Sequence, residues 1–107
     1  MFSYYGSKNK IAKLYPLPKY DLIIEPFAGA AWYSVLHRHK NVLLNEKYEV
    51  VHDIWKWLIN EASSELILEH KDFFIGQDIS QIDLKKQHKD LIGFCINRGS
   101  IAPRSIV

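Results

Sequence analysis

The sequence predicts an α/β chain organised on one βαβ unit, and three observations carry that reading. Asp21-Leu22-Ile23-Ile24-Glu25 is an apolar, β-branched run closed by an acid, the pattern of a buried strand. Glu25-Pro26-Phe27-Ala28-Gly29 breaks the run, and beyond it Trp32, Val35 and Leu36 recur at i, i+3, i+4, the spacing of a helix. A second apolar run, Val42-Leu43-Leu44, then leads into Asn45-Glu46. Residues 21–46 therefore read as strand, helix and parallel strand, slightly shorter than the usual ~30 residues or more. In α/β proteins ligands bind just beyond the carboxyl ends of such strands.

The bulk properties narrow the classes. The chain has 107 residues, enough for one small domain, and its 48% hydrophobic and 24% charged content is that of a globular protein. A net charge of +2 and a pI of about 8.6 permit nucleic acid as a partner without demanding it. The single cysteine, Cys95, excludes an intrachain disulfide and points to a reducing compartment. No apolar run approaches the ~20 residues that cross a bilayer. The opening Met-Phe-Ser-Tyr-Tyr-Gly-Ser-Lys has neither the apolar core nor the cleavage site of a signal peptide.

In order along the chain, Ser7 is the candidate N-cap of a short helix from Lys8 to about Leu14, stopped by Pro16 and Pro18. Strand one spans Leu22–Glu25. The following helix runs from about Ala30 to His39, with His37, Arg38, His39 and Lys40 at its negative end. Strand two is Val42–Leu44. A helix from about Lys47 carries Tyr48, Val51, Trp55, Leu58 and Ile59 on one bulky face, with Trp57 adding to a core cluster. Ser63 or Ser64 caps the next helix, which contains Leu66, Ile67, Phe73 and Phe74 and stops at Gly76. Ser80-Gln81-Ile82-Asp83 is a start signal for a last helix bearing Leu84, His88, Leu91, Ile92 and Cys95. Asn97-Arg98-Gly99 ends it, and residues 100–107 form a basic, turn-rich tail. Two parallel strands do not complete a domain, so the chain reads as the first part of something larger.

The candidate chemistry lies at the strand ends. Glu25 and Glu46 close the two strands, so both acids face one edge and can flank one ligand. An acid at the end of the second strand is suited to accept hydrogen bonds from both ribose hydroxyls of a nucleoside. Solvated strand ends account equally for the spacing. Gly29 allows close approach, and the helix start behind it favours an anionic group. A single glycine falls short of the G-x-G-x-x-G pattern that a pyrophosphate asks for, which disfavours a dinucleotide and a small oxidoreductase. A nucleoside carrying a zwitterion, such as S-adenosylmethionine, fits better. Tyr4-Tyr5-Gly6-Ser7-Lys8 can offer an aromatic face and a charge, although a core tyrosine and a solvated lysine explain it more simply. Lys85, Lys86 and Lys89 read as a solvated helix face. Asn97, Arg98 and Arg104 can contact phosphates or base edges. The histidines form no site: His37 and His39 lie on different helix faces, and His52, His70 and His88 are isolated. With one cysteine and no H-E-x-x-H motif, no metal site is expected.

Taken together, Tyr-Tyr-Gly-Ser-Lys (4–8), Ile-Ile-Glu-Pro-Phe-Ala-Gly-Ala (23–30) and Leu-Leu-Asn-Glu (43–46) resemble the N-terminal half of Dam-like, adenine-specific DNA methyltransferases. The resemblance covers residues 2 to about 50 and continues weakly to Phe94–Gly99. It implies a Rossmann-like, three-layer α/β/α methyltransferase fold, incomplete here. Residues 1–60 are then the cofactor-binding part, and residues 61–107 the start of a helical DNA-recognition insertion. It implies S-adenosylmethionine as cofactor, held by Tyr4, Tyr5, Gly6, Ser7, Lys8, Glu25, Pro26, Phe27, Gly29 and Glu46. Double-stranded DNA is the implied partner, met by Asn97, Arg98 and Arg104, and a cytoplasmic, bacterial or phage-encoded setting follows. Two departures are visible: Glu46 stands where the family more often has Asp, and Ala31 where it usually has a second glycine or small residue. A third and larger departure is that the family's Asp/Asn/Ser-Pro-Pro-aromatic motif is missing, since no Pro-Pro pair occurs. The chain is therefore expected to be a fragment, a remnant or one part of a split enzyme, inactive alone. Its alternative role is a non-catalytic DNA-binding or complementation module, pairing with a second chain that carries the motif or with another copy of itself.

Overall fold

The computed structural model describes residues 2, 4, 6–70, 72–96 and 100–107. The expected βαβ unit is present. β1 (Leu22–Glu25) and β2 (Asn41–Leu44) pair in parallel, with Ile23 opposite Val42 and Glu25 opposite Leu44. The ladder runs on past the strand ends. The Asn45 amide donates to the Glu25 carbonyl at 2.9 Å, and the Ala28 amide to the Asn45 carbonyl at 3.1 Å. The loop after β1 is thus tied to the end of β2 before the next helix begins.

That helix, α1 (Trp32–Leu36), is shorter than the expected 30–39. Its start is set by Ala31, which takes a left-handed conformation at φ +51° and so cannot belong to the helix. Its end is set by the return to the sheet. His37 leaves helical geometry, and the Asn41 amide must reach the Asp21 carbonyl at 2.9 Å to open the parallel ladder. The N-terminal helix is likewise reduced, to a 3₁₀ turn at Ala12–Leu14. Ser7 does not cap it; the Ser7 amide closes a turn onto the Tyr4 carbonyl at 3.0 Å, with Gly6 at φ +74° in its third position.

The second half is helical, as its periodicity predicts, with shifted boundaries. α2 (Glu49–Asn60) buries Val51, Ile54 and Trp57. α3 (Ser64–Glu69) starts on the expected cap, the Leu66 amide donating to Ser63 Oγ at 3.1 Å. It stops well short of Gly76. None of its residues is fully buried, and only Leu66 and Ile67 pack against the core, which gives the helix little to propagate it. Ser80 does not start the last helix. Asp78 accepts from the Ser80 amide at 2.9 Å and from its hydroxyl at 2.6 Å, capping a 3₁₀ turn at Ile79–Gln81. α4 begins only at Lys86 and runs to Ile96.

The core lies between α2 and α4. Phe2, Ala30, Val51, Ile54, Trp57, Leu91 and Phe94 form one buried cluster, with Tyr4, Trp32, Tyr48 and Trp55 packed against it. The tail is not a loose turn. Residues 105–107 run antiparallel to 76–79, through Gly76 N–H to the Val107 carbonyl at 2.8 Å and Ile79 N–H to the Ser105 carbonyl at 2.8 Å. It then crosses α4 at Gly93, where a β-carbon would stand 2.5 Å from the Arg104 carbonyl oxygen.

The sheet is covered on one face. Ile23 is buried on one face, whereas Leu22, Ile24 and Leu43 share the opposite face and are more than half exposed. Parallel strands usually carry cover on both faces. No helix among the described residues is long and apolar enough to cross a membrane.

Candidate functional site

The loop of residues 26–31 is held from below by side chains, and that hold shapes a cavity. Gly29 takes φ +50°, a conformation that costs a side-chain-bearing residue about 1–2 kcal/mol. Its amide donates to Glu46 Oε2 at 2.7 Å, and its carbonyl accepts from the Trp55 indole N–H at 2.7 Å. Glu46 Oε1 also accepts the Tyr48 amide at 3.0 Å, so one carboxylate ties the loop to the start of α2. Above the loop, a β-carbon at Gly29 would come within 3.2 Å of the Tyr4 ring. The glycine is thus favoured by its angle and fits closely under the tyrosine.

Glu25 is likewise engaged. Its Oε2 accepts from Ser34 twice, from the amide at 3.3 Å and the hydroxyl at 2.5 Å, capping α1 from the end of β1. This consumes a donor that the helix start was expected to offer an anion, and α1 is too short to build a strong dipole. Neither acid is a freely solvated strand end.

Between these groups lies a cavity of about 240 Å³. Of the residues selected from sequence, Tyr4, Gly6, Ser7, Lys8, Glu25, Phe27, Gly29 and Glu46 all line it. They come from three separate stretches, brought together because Tyr4 packs on the core while Glu25 and Glu46 end adjacent strands. Tyr4 has both readings at once: its ring stacks near Tyr48 at 6.4 Å and meets the Phe94 ring edge-on at 5.6 Å while facing the cavity. Burial raises the Tyr4 phenol above its usual pKa, and the Glu46 carboxylate adds to the rise, so it stays protonated as a donor.

The remaining selected residues fall elsewhere. Pro26 is an exposed turn residue that does not line the cavity. Arg104 is exposed and lines a separate depression of about 230 Å³ with Lys86 and Lys89. Tyr5, Asn97 and Arg98 lie outside the described residues.

Sequence reasoning missed several participants. Trp55 was expected to be plain core, yet it clamps Gly29. Trp32 was expected only as an apolar helix position, yet it lines the cavity with Ala28, Ala30 and Ala31. The signal available was chemical: each tryptophan carries an N–H that wants a partner when buried. His70 and His88, expected to be isolated, have ring centroids 5.7 Å apart, and His37 and His39 lie 6.1 Å apart despite their spacing. Among the described residues, no group of three or more His, Cys, Asp or Glu is placed to hold a metal.

A larger depression, about 530 Å³, adjoins the cavity across Ala31 and Glu46. Its lining is mainly apolar, with Val35, Val42, Leu44 and Ile59, and of the selected residues it includes only Glu46. The smaller cavity carries the denser chemistry. It offers two fixed carboxylates, a lysine and donor groups around one space, an arrangement for a ligand bearing both signs of charge. At 240 Å³ it is slightly below the ~300–1,000 Å³ of ordinary ligand clefts, so a nucleoside would keep one end outside, beside the 79% exposed ring of Phe27. Comparison of the chain with protein-family models, with curated proteins and with solved structures finds no match to any of them.

Proposed function

We propose that the chain is the methyl-donor-binding part of an S-adenosylmethionine-dependent, adenine-specific DNA N6-methyltransferase with a Rossmann-like fold. One observation carries the reading: eight of the ten cofactor residues selected from sequence, drawn from three distant stretches, converge on one cavity. In the proposed site Glu46 accepts the ribose hydroxyls. Its two oxygens already hold amide donors, which fix the carboxylate in place while each keeps a further lone pair. Glu25, anchored by Ser34, faces the positive end of the zwitterion, and Tyr4 and Phe27 offer ring faces to the base. Bound there, S-adenosylmethionine supplies an electrophilic sulfonium methyl. The chain's own residues bind and orient it.

Double-stranded DNA is the proposed partner, with the exposed Arg104 meeting phosphates. The methyl acceptor needs adenine flipped from the stack and its amino group held in line. The 107 residues contain no Pro-Pro pair to do so. The expected outcome is that the purified chain binds the donor but does not methylate DNA by itself. A second reading, a complementation module, is favoured by the bare apolar face of Leu22, Ile24 and Leu43, which a partner chain would cover. Isothermal calorimetry with S-adenosylmethionine tests the primary reading. Glu46→Ala should weaken binding at least ~10-fold, the loss of one charge-assisted hydrogen bond or more. Undiminished binding in that variant, or none in the parent chain, contradicts the reading.

A further inference from the structure

The cavity contains a feature that neither acid explains. Ser7 Oγ and Trp32 Nε1 are both buried, and neither has a hydrogen-bond partner among the described residues. Both residues line the same 240 Å³ space. A buried donor left unmet costs about 1–3 kcal/mol, so native structures rarely keep two in one place without a use. Only three side-chain atoms in the described residues are orphaned in this way, and two of them sit here. Their chemistry is complementary to that of Glu25 and Glu46. A hydroxyl can donate, an indole N–H can only donate, and Lys8 adds a positive charge to the lining. The carboxylates can only accept. The lining therefore offers both unmet donors and acceptors to one ligand.

We infer that Ser7 and Trp32 form a two-donor cradle for the carboxylate of an amino-acid-bearing ligand, with Trp32 the residue that selects for that group. The inference rests on the proposed nucleoside reading and extends it. It makes the carboxylate tail, and not the nucleoside alone, a requirement of the site, and it assigns Trp32 a binding role that its helical spacing conceals. Because the donors are unpaired among the described residues, removing them costs no hydrogen bond seen there. Ser7→Ala should leave the urea midpoint unchanged or raise it, because the cost of the unmet hydroxyl is removed, whereas a hydroxyl with a structural hydrogen bond would lower it when lost.

The test uses the full chain and two probes that share the adenosine but differ in the tail. S-adenosylhomocysteine carries the amino-acid carboxylate, and 5′-methylthioadenosine lacks it. Trp32→Phe keeps an aromatic ring and removes the N–H. Trp32→Phe and Ser7→Ala should each weaken S-adenosylhomocysteine about 10-fold and leave 5′-methylthioadenosine within twofold. Equal loss for both probes, or loss for neither, overturns the cradle. Ser7→Ala decides alone if Trp32→Phe does not fold. If no adenosine ligand binds the parent chain, the nucleoside reading falls by itself. The cradle is then decided by L-methionine. Its carboxylate must shift the Trp32 indole N–H resonance, and an unmoved resonance overturns the cradle as well.

Discussion

Among the described residues, two glycines lie under a close neighbour, and they do so differently. Gly29 has the Tyr4 ring over it, the nearest ring atom 3.2 Å from where a β-carbon would be. Gly93 has backbone over it: the Arg104 carbonyl oxygen at 2.5 Å and its nitrogen at 2.8 Å, with Pro103 Cβ also at 2.8 Å. A ring at the edge of a cavity can tilt. A chain crossing fixed by hydrogen bonds on its far side cannot, because Ser105 and Val107 are paired with Ile79 and with Gly76 and Gln77. The first approach shapes a site, and the second fastens the architecture. The proposed division of labour follows, with ligand chemistry around Gly29 and mechanical closure around Gly93.

The difference is sharpest in substitution. Gly93→Ala should destabilise the chain most, by about 2–3 kcal/mol in urea unfolding, the upper range for overpacking. It should also speed tryptic cleavage after Arg104 as the tail lifts. Gly29→Ala should cost less, about 1–2 kcal/mol for the left-handed angle, since the Tyr4 ring can move aside. Unlike Gly93→Ala, it should weaken nucleoside binding. A tail that stays protected in Gly93→Ala would break the comparison. Ala31 supplies the smallest effect of the three substitutions. It already holds a left-handed angle at φ +51° with a buried methyl group, so in Ala31→Gly the relief of the angle is offset by the glycine's entropy cost and the lost methyl, and the urea stability should change by less than about 0.5 kcal/mol.

A milder effect is expected from pH. His88 is 2% exposed, stacked on Trp57 at 5.0 Å with His70 edge-on, and no carboxylate is paired with it among the described residues. Burial pushes its imidazole below the usual value, and His70 adds to the shift. The folded chain therefore binds this proton less readily than the unfolded chain. Its stabilising contribution is complete above pH ~6.5 and is lost as pH falls below that toward the lowered value. Urea midpoints for the parent and for His88→Phe should converge as pH rises through this window. A midpoint in the parent that improves on acidification would contradict the assignment.

Gly29 and Gly93 also mark what the sequence reveals. Gly29 sits in a local pattern of strand, proline, aromatic and helix, and every element of it is read within ten residues. β1 is found to the residue, and the acids at the strand ends are found with it. Gly93 sits inside a helix with no local cue, because its reason is a chain segment eleven residues further on. The same holds for α3, whose apolar pattern suggests a longer helix, although only Leu66 and Ile67 reach the core and Phe74 is left exposed. It holds for Ser80 too, which looks like a cap until Asp78 claims it. At the site, residue types were legible but their hydrogen bonds were not. Glu46 was read as a ligand acid, and its hold on Gly29 and Tyr48 emerged only with the two strands side by side. Trp32 and Trp55 were read by their hydrophobicity, and it is their N–H groups that distinguish them.

The central claim is that ligand binding belongs to the Gly29 region and not to the Gly93 region. A ¹H–¹⁵N correlation spectrum of the full chain, titrated with S-adenosylhomocysteine, tests it most directly. The account predicts saturable shifts of the Gly29 amide and the Trp55 indole N–H, with the Gly93 and Arg104 amides unmoved. Shifts centred on Gly93 and Arg104, or no saturable shift at Gly29, would contradict it.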